Sequence, residues 1–233
     1  VALTTVLRVA TSATNNPALS SAANPASMPA KKVAVLTPPE ATTVVAIASN
    51  NVVPHLRTWP SIKIWIAGCS TGEEVYSMAI LLREEGLLER TIIYATDINP
   101  SSLEKAKQGI YSMQNMREYT ENYQKAGGRR AFSDYYTAAY GNAIIDSSLR
   151  ENVTFADHSL ATDSVFSETQ LISCRNVLIY FNKTLQDRAF GLFHDSLCHR
   201  GFLVLGSKET LEFSGYSKQF EPLVKQERIY RKS

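Results

Sequence analysis

The stretch Ile64-Trp-Ile-Ala-Gly-Cys-Ser-Thr-Gly-Glu-Glu74 decides how the rest of this chain is read. An apolar run stops at small residues, Gly68 and Gly72 follow within one short turn, and Glu73 and Glu74 stand where a helix should begin. Strands that end this way let backbone approach a nucleotide-like ligand, because glycine carries no Cβ to hold it off. Two glycines in a strand-to-helix turn are common, so the pattern alone is weak. The next segment, Thr91-Ile-Ile-Tyr-Ala-Thr-Asp97, strengthens it as a second buried strand ending in an acid. Asp97 follows Gly72 by 25 residues, close to one strand–helix–strand unit, and an acid there can accept hydrogen bonds from ribose hydroxyls.

The turn lacks the Gly-Lys-Ser/Thr ending of a triphosphate cradle, and it departs from the three-glycine dinucleotide pattern. Glu73 and Glu74 suit a helix start through the macrodipole alone. Toward a ligand they also discriminate, repelling a diphosphate and favouring a cation. S-adenosylmethionine, with its sulfonium and ammonium and no phosphate, is such a cation.

The 233 residues, 44% of them apolar, suffice for one large domain with a full core. A net charge of +2 without a basic aromatic stripe argues against nucleic acid as partner. Cys69, Cys174 and Cys198 lack metal or redox spacing, which favours reduced thiols and a cytoplasmic location. No acid–base partner marks Cys69 or Cys174 as a nucleophile. His55, His158, His194 and His199 form no metal set; the last two, five apart on a predicted helix, sit off a common face. No run of eighteen apolar residues predicts membrane insertion, and no signal peptide is evident.

Residues 1–50 contain no aromatic side chain and only four charges, Arg8, Lys31, Lys32 and Glu40. Such a segment has little apolar surface to offset its ordering entropy, and reads as a linker or extension, or as a small cap. From Trp59 the alternation is regular. Strands are predicted over 62–67, 92–96, 153–156, 170–173 and 202–205, with a last edge strand over 228–231. A helix is predicted from Glu74 to Glu85, ended by Gly86; another starts at Asn99-Pro100 and closes at Gly109. A third is capped by Asn182 and runs to Gly201. Residues 110–150 read as an insertion, with a hairpin over 134–145 turning at Gly141-Asn142. The alternation predicts an α/β fold, a mostly parallel sheet with helices on both faces.

A second constellation is Ile172-Ser-Cys-Arg-Asn-Val-Leu-Ile-Tyr-Phe-Asn182. Arg175 and Asn176 stand at the end of an apolar strand, where open α/β sheets bind ligands, and Tyr180 follows in an apolar segment. Spacing leaves open whether Arg175 pairs with an acid and Tyr180 is a half-buried core residue.

Ala67-Gly-Cys-Ser-Thr-Gly-Glu-Glu-Val-Tyr-Ser77, Tyr94-Ala-Thr-Asp-Ile-Asn99 and Cys174-Arg-Asn-Val-Leu-Ile-Tyr-Phe181 together resemble the CheR-type chemotaxis protein-glutamate O-methyltransferases. The resemblance runs in order from about Trp59 to Ser233, and its last block is specific to that family. It implies a seven-stranded, Rossmann-like methyltransferase sheet and methyl transfer from S-adenosylmethionine, leaving S-adenosylhomocysteine, to glutamates of methyl-accepting chemotaxis receptors or related signalling proteins. It implies a cofactor turn of Gly68, Ser70, Thr71, Gly72 and Glu73, with Asp97 on the ribose and Asn176 as a further cofactor contact. Ser159 and Leu160 would flank the adenine, Ser159 standing where the family usually has Asn, and Arg175 and Tyr180 would lie by the transferring methyl. No metal is implied.

The family also carries a helical N-terminal domain with a Thr-Phe-Phe-Arg motif, which residues 1–58 do not match. That segment then stands as a linker, or as a remnant or replacement of such a domain, before a catalytic domain over 59–233. The hairpin at 134–145 occupies the place where some members dock a receptor-tail peptide. Besides methyl transfer, a cofactor-binding but catalytically weak sensor or scaffold remains as the alternative. A small-molecule or nucleic-acid methyltransferase and a nicotinamide oxidoreductase are weaker rivals, the last because Glu73 and Glu74 disfavour a diphosphate.

Overall fold

The computed structural model describes residues 52–233; what the sequence suggests for 1–51 lies outside the described residues. The central sheet has seven strands in the order β6-β2-β1-β7-β8-β10-β9. They are β1 (Ile62–Ala67), β2 (Thr91–Asp97), β6 (Val153–Asp157), β7 (Thr169–Cys174), β8 (Leu197–Leu205), β9 (Phe220–Val224) and β10 (Ile229–Lys232). From β6 through β8 every neighbouring pair is parallel, while β10 runs antiparallel to both β8 and β9. Strand order reverses beside β1, so the crevice at the carboxyl ends of β1 and β7 is where such a sheet binds ligands.

The two faces of the sheet bury two separate cores, as the period-2 alternation of a strand requires. Ile62, Ile64 and Ile66 of β1 enter one cluster, and Trp65 and Ala67 enter the other. Likewise Phe202 and Val204 of β8 face one way, Leu203 and Leu205 the other. The first face is covered by α1 (Val52–Leu56) and α2 (Glu73–Glu84), whose Val75, Ala79 and Leu82 are buried. The second is covered by α5 (Lys183–Ser196) through Ala189, Phe190 and Phe193. With both faces covered, β1 reads as a nearly continuous apolar run.

Helix α3 (Pro100–Gln108) follows its local signals closely. The Asn99 side chain accepts the Ser101 amide at 3.0 Å, Pro100 opens the first turn, and Gly109 closes the helix at φ 63°. The insertion comprises β3 (Ile110–Ser112), α4 (Met113–Lys125), β4 (Tyr136–Ala139) and β5 (Asn142–Ile145), the strands forming a sheet ordered β3-β5-β4. It docks on α2. The Tyr123 and Tyr135 hydroxyls donate to the Glu84 carboxylate, and Arg83 donates to Ser148 at 2.7 Å and pairs with Asp146 at 3.5 Å.

Four sequence expectations are corrected. The hairpin turns one residue early, at Tyr140-Gly141, both with positive φ (49° and 74°), the backbone that matches hairpin twist. Helix α5 ends at Ser196, not Gly201, because Leu197–Leu205 is strand; Lys232 Nζ donates to the carbonyls of His194 and Leu197 at the helix end, both at 2.7 Å. His199 therefore lies on β8, not on the helix. The last strand is not an edge: β10 lies between β8 and β9, and the edge is β9, whose Pro222 suits an unpaired border.

Candidate functional site

The turn after β1 leaves the strand through two amides on one acceptor: Gly68 N and Cys69 N donate to Thr96 O at 2.7 and 2.8 Å. Gly68, Ser70 and Gly72 all have positive φ (77°, 50° and 92°), which only glycine adopts freely. A Cβ on Gly68 would stand 2.4 Å from Val177 Cγ2, and one on Gly72 would stand 2.8 Å from Ala106 Cβ. The loop after β7 and helix α3 thus press against this turn from two sides.

Asp97, at the end of β2, accepts the Ser70 amide at 2.8 Å on Oδ2 and the Asn99 amide at 2.9 Å on Oδ1. The Thr71 hydroxyl donates to Glu73 Oε2 at 2.6 Å, and Glu73 is buried in the first turn of α2. Ser173 Oγ donates to the Glu74 carboxylate, joining β7 to the same turn. Burial first, and then the charges of Asp97, Glu74 and Glu73, push the Cys69 thiol far up. Through their contacts with Ser70, Thr71 and Ser173, Asp97, Glu73 and Glu74 gather at the turn, and a thiol held protonated is no nucleophile. The Glu73 charge also raises Tyr111, after burial, and helps push Tyr119 up to about 12, again after burial.

At the end of β7, Arg175 is half-buried, and its Nε is buried with no hydrogen-bond partner among the described residues. Asn176 follows in left-handed backbone at φ 57°. Tyr180 lies on the single-turn 3-10 helix Leu178–Tyr180, 38% exposed, with its amide on Val177 O at 3.2 Å. On the other side of Asp97, Ser159 and Leu160 follow β6. The His158 amide reaches Asp97 O at 3.4 Å and the Ser159 hydroxyl accepts the Ala161 amide at 3.3 Å. Leu160 is buried in the cluster of Trp65 and Phe193. The parallel strands β1, β2, β6 and β7 thus bring every predicted site residue to the carboxyl-end side of the sheet.

Residues the sequence did not single out complete this side. Tyr111 of the insertion donates to Thr71 O at 2.8 Å, Ser173 holds Glu74, and Ile98 stands beside Asp97, 44% exposed. A serine or tyrosine with a tertiary partner has no signature in spacing. Ile98, an apolar residue placed right after the strand-end acid, could have been found.

The strand order, the antiparallel β10 and an acid-lined turn at the switch point define a Rossmann-like methyltransferase fold. Residues 41–229 match the family described as CheR methyltransferase, SAM binding domain, and the chain belongs to that family. It is 85% identical over 184 residues to the Pseudomonas putida protein Cher3, covering 79% of this chain and 67% of that one. It is 31% identical over 164 residues to an uncharacterized 104.1 kDa protein of Rhodobacter capsulatus, covering 69% of this chain and 16% of that one. To a chemotaxis protein methyltransferase of Listeria innocua it is 32% identical over 167 residues, with 71% and 61% covered. The chain thus spans about two thirds or less of these relatives.

S-adenosylmethionine is the cofactor of this family domain, and the residues present fit it. The turn offers acids without a Lys or Arg between Gly68 and Glu74, and its glycines leave backbone open to close approach. Among the described residues no group of His, Cys, Asp or Glu is placed to hold a metal, and no helix is long and apolar enough to cross a membrane.

Proposed function

We propose that this domain carries out methyl transfer from S-adenosylmethionine to glutamate side chains of chemotaxis receptors, in the cytoplasm. The observation that carries the reading is the pairing of opposite requirements at the carboxyl-end side of the sheet. Glu73, Glu74 and Asp97 suit a cationic cofactor, and the buried Nε of Arg175, without a hydrogen-bond partner among the described residues, suits an anionic acceptor beside it. When bound, the cofactor supplies a methyl group already activated on a sulfonium.

The chain's own residues have a task of placement. A glutamate carboxylate is ionised at neutral pH, so no strong base is needed and no proton moves. Arg175 orients that carboxylate through charge-assisted hydrogen bonds, and Tyr180 fixes its angle. Too tight a grip would stabilise the anion more than the charge-dispersed transition state, so Arg175 acts chiefly by orientation. Gly68, Ser70, Thr71, Gly72 and Asn176 shape the cofactor cradle, Glu73 faces its positive end, and Asp97 receives the ribose. Ser159 and Leu160, with the apolar face of Ile98, border the base.

The test pairs radiolabelled methyl transfer to receptor fragments with calorimetric binding of S-adenosylhomocysteine. Transfer to glutamate supports the reading; tight binding without transfer to any receptor fragment favours a sensor or scaffold and overturns it.

A further inference from the structure

Glu209, on the turn after β8, is 4% exposed, and its carboxylate is filled by backbone amides. Oε2 accepts Gly206 N at 2.7 Å and Asn176 N at 3.0 Å; Oε1 accepts Val177 N at 2.8 Å and Leu178 N at 2.7 Å. Four donors saturate the four acceptor sites of one carboxylate. Three of them are consecutive, and they begin at the residue after Arg175. Successive amides converge this way when the chain alternates hand, and Asn176 supplies the left-handed step at φ 57°.

The fit is close from the β8 side as well. A Cβ on Gly206 would stand 2.7 Å from Asn176 Oδ1, 2.8 Å from Asn176 N and 2.8 Å from Glu209 Oε2. The turn carrying Tyr180 hangs from the clamped residues, with Tyr180 N on Val177 O at 3.2 Å and Phe181 N on Leu178 O at 3.0 Å.

We infer that Glu209 is a positioning residue for methyl transfer, fixing the backbone from which Arg175 and Tyr180 reach the acceptor. The inference rests on the reading above that those two side chains carry the transfer. Glu209 touches no reacting atom; its carboxylate replaces water as the partner of loop amides that must be held at one angle.

The full chain carrying Glu209→Gln tests it. The amide keeps one acceptor oxygen and turns an NH2 toward two backbone donors, so the clamp half opens. Turnover per bound S-adenosylhomocysteine site, with the stoichiometry from calorimetry at saturating ligand, is expected to fall at least about tenfold, whatever rise in Kd the loosened Asn176 brings. Glu209→Asp keeps both oxygens on a stem one methylene shorter and is expected to recover part of that turnover. Hydrogen exchange is expected to quicken in peptides over 174–181 and to stay unchanged over 91–97.

A purely structural role lowers the number of binding sites and leaves turnover per site at the wild-type value, which overturns the inference. Unchanged exchange over 174–181 overturns it too. Counting only bound sites removes misfolded protein from the comparison, and the aspartate variant carries the test if the amide variant does not fold. If wild-type protein transfers no methyl group, the proposed function falls. The exchange experiment then decides the clamp alone, faster exchange upholding it and unchanged exchange overturning it.

Discussion

Ser70 N and Asp97 Oδ2 are joined at 2.8 Å, so the acid that ends β2 holds the turn that follows β1. The other oxygen of Asp97 takes the Asn99 amide, which tethers the start of α3. One side chain therefore holds together the turn after β1 and the start of α3. Asp97→Asn must point an NH2 at one of these donors, and the Kd for S-adenosylhomocysteine is expected to rise about tenfold to a hundredfold. Calorimetric titration measures it; an unaltered Kd contradicts the assignment.

Arg175→Ala separates binding from chemistry. Removal of the guanidinium is expected to lower methyl transfer at least about a thousandfold, with the S-adenosylhomocysteine Kd within about threefold of wild type. Arg175→Lys keeps the charge but not the fork of donors, and is expected to recover only a small part of the rate. Wild-type turnover in the alanine variant sinks the role given to this residue.

Gly68→Ala meets two penalties at once, a positive φ of 77° and Val177 Cγ2 at 2.4 Å. The expected loss is about 1–3 kcal/mol of stability, read by denaturant unfolding. Val177→Ala in the same chain is expected to return part of it, since the clash is relieved while the backbone strain remains. A double variant no more stable than Gly68→Ala alone shows that Val177 is not the obstacle.

Asp146 gives a pH signature to the docking of the insertion. The Ser148 amide and hydroxyl, and then the Arg83 cation, hold its carboxyl below the ordinary 3.8. A depressed folded value means stability present above the unfolded pKa and lost as pH falls through the folded one. Asp146→Asn is expected to melt below wild type at pH 7, with the gap closing as pH drops below 3.8. A gap of the same size at every pH rules out the charge as its source.

Much of the fold is legible because its signals are local. Asn99, Pro100 and Gly109 carry the boundaries of α3 in their own side chains and dihedrals, and the apolar runs of β1 and β2 need no partner to be recognised. What escaped depends on distant partners or on polar edges. The end of α5 is held by Lys232 from β10, so Gly201 looked like the stop. Strand β9, with Pro222 at its centre and a burial pattern that does not alternate, has little periodicity to read. At the site, glycines and strand-end acids are visible by position, whereas Ser173, Tyr111 and Glu209 gain meaning only from contacts across the sheet.

The placement of β7 bears on the order in which the molecule can fold. Its neighbours are β1 and β8, so pairing β7 with β1 closes a loop that contains β2, α3, the insertion and β6. Closing so long a loop is slow, and the contact between Glu74 and Ser173 spans a separation of 99 residues. During synthesis the first glycine turn emerges long before the strand that faces it. The two halves of this sheet end therefore meet only through contacts of high sequence separation, and S-adenosylhomocysteine added during refolding is expected to leave the rate of sheet closure unchanged, which stopped-flow refolding with and without it checks.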